Sequence, residues 1–211
     1  MERIFDVKTS KNEKVIGFYN KAMKELSEFY EINWIDHMPK IFLVPDRKTF
    51  NELYNKETES WVVGSTMNSS DTFYVLAPES YEEESNHKYS DGEYFRLIKH
   101  ELSHLFSRIL FNGYNPKWFT EGIAIYSSGQ LAVKRIPKKF NSFLDFHNKA
   151  GAGIYAESGF AIEILIKKIG KKKFLKMLKD IKPPVTRKYF KEYFKKNFDI
   201  DLTYKWFNKN L

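Results

Sequence analysis

The sequence predicts an α+β fold in which a small sheet comes first and a helical part follows. Two observations carry this reading. Short β-rich runs are confined to residues 40–77, whereas apolar residues recur at helical spacing from about residue 91 to the end. Elements segregated in this way pack as α+β rather than as alternating βα units.

The elements follow in order. Residues 11–30 read as an amphipathic helix, with Val15, Phe18, Tyr19, Ala22, Leu26 and Phe29 near helical spacing. Lys40–Pro45 is a short apolar run with proline on each side, the mark of a buried strand. Asp46 then has the chemistry of an N-cap for a helix through Tyr54. Residues 61–64 (WVVG) and 72–77 (TFYVLA) are two β-rich runs separated by a polar segment, which predicts a hairpin or two neighbouring strands. Ser90 and Glu93 fit a capping box opening a long helix over about 92–111, and Asn112-Gly113 ends it. A further helix starts near Pro116 or Lys117 and runs to about Ser127. Residues 155–169 and 171–181 read as two helices broken at Gly170, the second stopped by Pro183-Pro184. Residues 186–197 and 201–209 read as the last two.

Composition narrows the function. Of 211 residues, 42% are hydrophobic and 17% aromatic, enough for a core and against disorder. No apolar run approaches the ~20 residues of a membrane span, so no transmembrane segment is expected. No secretory leader is present in the chain as given; a cytoplasmic location is the expectation, with export of a longer precursor left open. The absence of cysteine removes disulfides, thiolate ligands and cysteine nucleophiles from consideration. The net charge of +8 is unevenly placed: residues 1–132 carry 15 basic and 20 acidic residues, residues 133–211 carry 20 and 7. The lysines are spread over helical faces without interleaved stacking aromatics, so they read as a solvated surface and no nucleic-acid partner is expected.

The chemistry is concentrated in His100-Glu101-Leu102-Ser103-His104. On a helix, residues four apart share a face, so two imidazoles can grip one ion, and the intervening carboxylate can act on water bound beside it. Composition alone gives about one chance match in a hundred such chains. Phe95, Ile98, Leu102, Leu105 and Ile109 form an apolar stripe, and the two histidines fall about 140–160° round the helix from it. A catalytic zinc takes three protein ligands and keeps one position open. The third candidate is Glu121, a lone charge inside the otherwise apolar WFTEGIAIY segment, costly there unless paired or bound to metal. His37, His87 and His147 have no metal spacing and read as ordinary, and Glu82-Glu83-Glu84 reads as a solvated loop or helix start.

HELSH followed by WFTEGIAIY resembles the gluzincin peptidases, in particular the peptidase MA-like group, whose pattern is HExxH and then W-x-x-E-G-x-A-x-Y. It is more distantly similar to the aminopeptidase-type gluzincins. The resemblance covers about residues 30–211 and is most specific at 100–126. It implies a zincin-like fold, a single catalytic domain over 1–211 with the sheet and HExxH helix in 1–111 and the third ligand in the helical part, 112–211. It implies Zn²⁺ on His100, His104 and Glu121, with Glu101 as general base. In the similar aminopeptidase segment a tyrosine before a Gly-Phe helix stabilises the oxyanion; the comparable residue is Tyr155, with its glycine one position later.

The chain departs from the aminopeptidases at Gly64-Ser65-Thr66-Met67-Asn68, where those enzymes carry Gly-x-Met-Glu-Asn. The acidic residue that grips a free amine is missing, so endopeptidase action on a peptide or protein substrate is the expectation. Glu79 or Glu157 would have to replace it in an exopeptidase. The expected protein is a monomeric zinc peptidase whose substrate strand pairs near residues 64–76. The alternatives are a catalytically idle zincin-fold binding or regulatory module and a peptidase toxin domain with one protein target.

Overall fold

The computed structural model describes residues 5, 7–67, 70–111, 116–149 and 151–211. Among them are eight α-helices, two short 3-10 helices and three strands, a mixed α+β architecture. In chain order the elements are α1 (Glu13–Tyr30), β1 (Lys40–Val44), α2 (Arg47–Tyr54), β2 (Gly64–Thr66), β3 (Thr72–Leu76), α3 (Asp91–Leu110), α4 (Lys117–Ser127), α5 (Ala152–Ile169), α6 (Lys171–Asp180), α7 (Arg187–Phe198) and α8 (Tyr204–Lys209). The 3-10 helices, Gln130–Val133 and Phe143–Asp145, lie between α4 and α5, a stretch in which the sequence signalled no element. The chain divides into two compact units, Met1–Leu105 and Phe106–Leu211, with α3 running through the division. No helix among the described residues is long and apolar enough to cross a membrane.

The first unit is built on a mixed three-stranded sheet of order β1-β3-β2. β1 pairs parallel to β3, with Phe42 opposite Tyr74, and β2 pairs antiparallel to β3, with Gly64 opposite Val75 and Thr66 opposite Phe73. Side chains alternate across a strand. Phe73 and Val75 therefore share a face with Gly64 and Thr66, and α3 covers that face: Gly64 lies against Leu97 and Glu101, and Thr66 bonds Glu101. Tyr74 points the other way, where Phe50 of α2 meets it edge-on at 5.1 Å. Coverage on both faces explains why β3 reads as an unbroken apolar run rather than an alternating one. The second expected strand is displaced. Trp61–Val63 form the approach to β2, and only Gly64 of the WVVG run lies in the strand, although Leu76 N still donates to Val63 O at 3.0 Å.

Two side chains fix that approach. The Arg47 guanidinium donates to the carbonyls of Val62 (2.6 Å) and Glu84 (2.7 and 3.1 Å). His87 lies between Glu93 Oε1 (2.9 Å) and the Trp61 carbonyl (3.0 Å). Glu82 and Glu83 are solvated as expected, but half-buried Glu84 accepts from Arg47 N at 3.0 Å.

Local signals at helix starts were mostly accurate. Asp46 Oδ1 caps α2 by accepting from Thr49 N at 2.7 Å. Ser90 Oγ accepts from Glu93 N at 3.1 Å. The Glu93 carboxylate goes to His87 and Tyr81. Asn112-Gly113, expected to end α3, lies outside the described residues. In α1, Val15, Ala22 and Leu26 are buried as expected, Phe18, Tyr19 and Phe29 only half, and Met23 and Tyr30 join the core. Tyr30 meets the Ser103 hydroxyl at 2.6 Å and Glu25 pairs with Lys99 at 2.5 Å, so α1 lies along α3.

The second unit has an aromatic core. Trp118 and Phe119 of α4 meet Phe143, Phe190 and Phe174 with ring centroids 5.0–5.8 Å apart, and Phe143 meets Phe207 at 5.0 Å. The edge-on arrangements suit the ring quadrupoles. Glu157 of α5 is buried and accepts the backbone N–H groups of Asn141, Ser142 and Phe143 at 3.0–3.2 Å. It thus fixes the loop before α5.

Candidate metal centre

α3 carries His100, Glu101 and His104. The single stripe expected for this helix is incomplete: Ile98, Leu102 and Leu105 are buried, Phe95 is half-buried, and Ile109 is 51% exposed. Burial instead continues round the helix through Leu97, His100, Glu101, Ser103, Phe106 and Ser107. His100 is therefore on a covered side of the helix, and His104 is half-buried.

One helical turn separates the two imidazoles, and their rings stand nearly perpendicular with centroids 4.9 Å apart. Their Nε2 atoms are 3.2 Å apart. Glu121 stands in the second turn of α4, half-exposed, before the fully buried run Gly122–Ile125. One ligand atom from each of His100, His104 and Glu121 lies within 4.8 Å of the others. Among the described residues this is the group of His, Asp and Glu side chains that could hold a metal ion.

Glu101 lies between the histidines in sequence and points to the sheet. The residue is 6% exposed, and Thr66 Oγ1 donates to Oε2 at 2.8 Å and stands 3.2 Å from the Glu101 carbonyl. Gly64, two residues earlier on β2, leaves the space beside Oε1. The sequence drew attention to both residues only as part of the Gly64–Asn68 segment and gave neither a role toward Glu101. Thirty-five positions separate Thr66 from Glu101, and no local pattern announces a contact of that range.

Tyr155 falls on the first turn of α5, half-exposed. α4 and α5 meet closely through their glycines. Gly122 meets Ser158 and Ile162, and Gly159 meets Ile125. Tyr155 stands one turn before Ser158, the residue whose carbonyl Gly122 faces. Tyr126 lies further along, its phenol pushed upward by burial and then by Glu163. Glu157, one candidate for gripping a substrate amine, is committed to the 141–143 backbone. Glu79 accepts from the Asn12 side-chain amide at 3.3 Å. Asn68, the last residue of the motif that departs from the aminopeptidases, lies outside the described residues. His147 Nε2 is 3.0 Å from the Val185 carbonyl, an ordinary structural role.

No protein-family model, curated protein or solved structure matches the chain.

Proposed function

We propose that the chain is a zinc-dependent peptidase with a zincin-like fold, using His100, His104 and Glu121 as ligands and Glu101 as general base. The observation that carries this reading is the convergence of two imidazoles and a carboxylate from separate helices, with the buried Glu101 next to His100 in sequence. The donor set fits zinc. Two nitrogens bound at ~2.0–2.1 Å to a tetrahedral ion stand about 3.3–3.4 Å apart; the Nε2 atoms stand 3.2 Å apart before any ion is considered. Three protein donors leave one position for water or substrate, the arrangement of a catalytic rather than a structural site.

Zinc, when bound, lowers the pKa of water and polarises a carbonyl oxygen. The protein's own residues do the rest. Glu101 takes the proton of the attacking water and later delivers it to the departing amine, which needs a carboxylate that is ionised before attack and held still. Tyr155 donates its phenolic hydrogen to the oxygen that gains negative charge. β2 is an edge strand, and an extended substrate can add to it by main-chain hydrogen bonds. Peptide bonds inside a chain are the expected substrate, because Glu157 is spent on the protein's own backbone and Met67 stands where aminopeptidases carry an acid.

A peptide-library digest with the zinc-loaded chain tests this. Cleavage should stop with a chelator, return with zinc and be lost in Glu101→Gln, which should keep its metal. Cleavage indifferent to both chelator and substitution would refute the mechanism. A zinc-bound chain that cleaves nothing would favour a binding module.

A further inference from the structure

The edge strand does more than close the sheet. We infer that Thr66 and Gly64 of β2 form the seat that positions the Glu101 carboxylate, so that the strand offered to substrate also sets the base. This rests on the reading of Glu101 as general base; the seat itself is a matter of geometry.

A glutamate side chain has three rotatable bonds, and a helix alone does not aim its carboxylate. Here each oxygen has its own constraint. Oε2 accepts from the Thr66 hydroxyl at 2.8 Å. Oε1 stands over Gly64, where a β-carbon would lie 2.8 Å away, with Leu97 Cδ1 at 3.0 Å and Glu101 Cγ at 3.1 Å. Gly64 does not have a positive φ, so glycine serves here for space and not for backbone conformation. Strand alternation puts Gly64 and Thr66 on one face while Ser65 turns away. One residue supplies a donor and the other supplies room. Arg47 and His87 hold the approach to β2 through the Val62 and Trp61 carbonyls, so the seat is anchored on a fixed segment.

Thr66 and Gly64 are positioning residues, and their loss has a defined signature. Thr66→Val keeps shape and β-branching but removes the donor. Gly64→Ala keeps the strand pairing and pushes on the end of a flexible side chain, a small cost in stability. Misplacing a catalytic group by about 1 Å can cost a hundredfold in rate. Both variants should therefore keep wild-type zinc content and a KM within about twofold while turnover falls about ten- to a hundredfold. Thr66→Ser, which restores a hydroxyl, should recover turnover to within about threefold.

The experiment uses fluorescein-labelled casein as the activity probe. It also follows the Glu101 side-chain carboxyl ¹³C resonance in the metal-free full chain, assigned by its disappearance in Glu101→Gln. We expect that resonance to move in Thr66→Val and Gly64→Ala and to return in Thr66→Ser. An unmoved resonance in both variants overturns the seat. A moved resonance with wild-type turnover, while Glu101→Gln is inactive, overturns its positioning role. If the wild-type chain leaves casein intact, or Glu101→Gln cleaves it normally, the peptidase reading fails. The resonance then still decides whether the seat holds Glu101.

Discussion

Gly122 of α4 faces the Ser158 carbonyl of α5 so closely that a β-carbon on Gly122 would lie 2.7 Å from its oxygen and 3.0 Å from its carbon. The glycine that follows Glu121 is thus where two helix backbones meet. Ile162 Cγ1 would be as near, at 2.7 Å. Real β-carbons do not tolerate such distances to backbone, so α4 and α5 must separate in Gly122→Ala. Overpacking of this kind costs about 1–3 kcal/mol. Urea unfolding should show that loss, and because Glu121 is the neighbouring residue, zinc content should fall as well. Wild-type stability in Gly122→Ala would mean that the crossing is looser than these distances imply.

The metal prediction concerns His104. Purified chain should hold close to one zinc, and His104→Ala should hold far less, since two donors no longer define a catalytic site. An ion that binds only the folded state stabilises it, by about 2.7 kcal/mol at a hundredfold excess over its dissociation constant. Thermal melts with zinc and with chelator should therefore differ for wild type and coincide for His104→Ala. Elemental analysis showing equal zinc in both proteins would remove His104 from the ligand set.

Much of this architecture was legible because its signals are local. Asp46 announces α2 by the bond it makes three residues on, and the spacing of His100 and His104 puts both imidazoles on one turn whatever surrounds them. Other features depend on distant partners. The single stripe expected along α3 did not describe its burial because this helix is covered on several sides, and periodicity reports burial only when one side is wet; nothing local marked Ile109 as the stripe residue that is exposed. The WVVG run looked like a strand, yet pairing with β3 begins at Gly64. The carbonyls of Trp61 and Val62 are taken by His87 and Arg47, residues 26 and 15 positions away. Thr66 and Gly64 gave no warning of Glu101 for the same reason.

Alkali should unfold the chain through its tyrosines. Burial pushes the Tyr19 phenol up to about 12, from an ordinary value near 10. Burial, then Glu79, pushes Tyr94 upward too. Both donate to backbone carbonyls, Tyr19 to Pro39 at 2.6 Å and Tyr94 to Leu76 at 2.8 Å. A raised folded-state value means the folded chain holds the proton more tightly. The stabilisation is therefore complete below pH 10 and is lost as pH rises toward 12. Circular dichroism and tyrosinate absorbance, followed together, should change in one transition in that range. Ionisation of all tyrosines well before loss of structure would contradict it.

The last prediction concerns Tyr155, on the turn of α5 before Ser158. As water attacks a peptide carbonyl, the oxygen gains negative charge, and a phenol donor strengthens its hydrogen bond as that charge grows. Removing one such donor typically costs ~2.7–4 kcal/mol, about a hundred- to a thousandfold in turnover. Tyr155→Phe keeps the ring, so zinc content and stability should stay at wild-type levels while turnover falls by about that factor at nearly constant Michaelis constant. Tyr126 is the natural control, since it is also on the second unit and half-buried. Its phenol feels Glu163 and Lys167, and Glu163 lies eight residues beyond Tyr155, about 12 Å along the same helix. Tyr126→Phe should therefore remain active. If Tyr126→Phe is crippled and Tyr155→Phe is not, the donor is Tyr126 and Tyr155 has no part in the chemistry. If both keep full turnover, Tyr114, which lies outside the described residues, is the next phenol to replace; an active Tyr114→Phe would leave the charge to the metal or to a backbone amide.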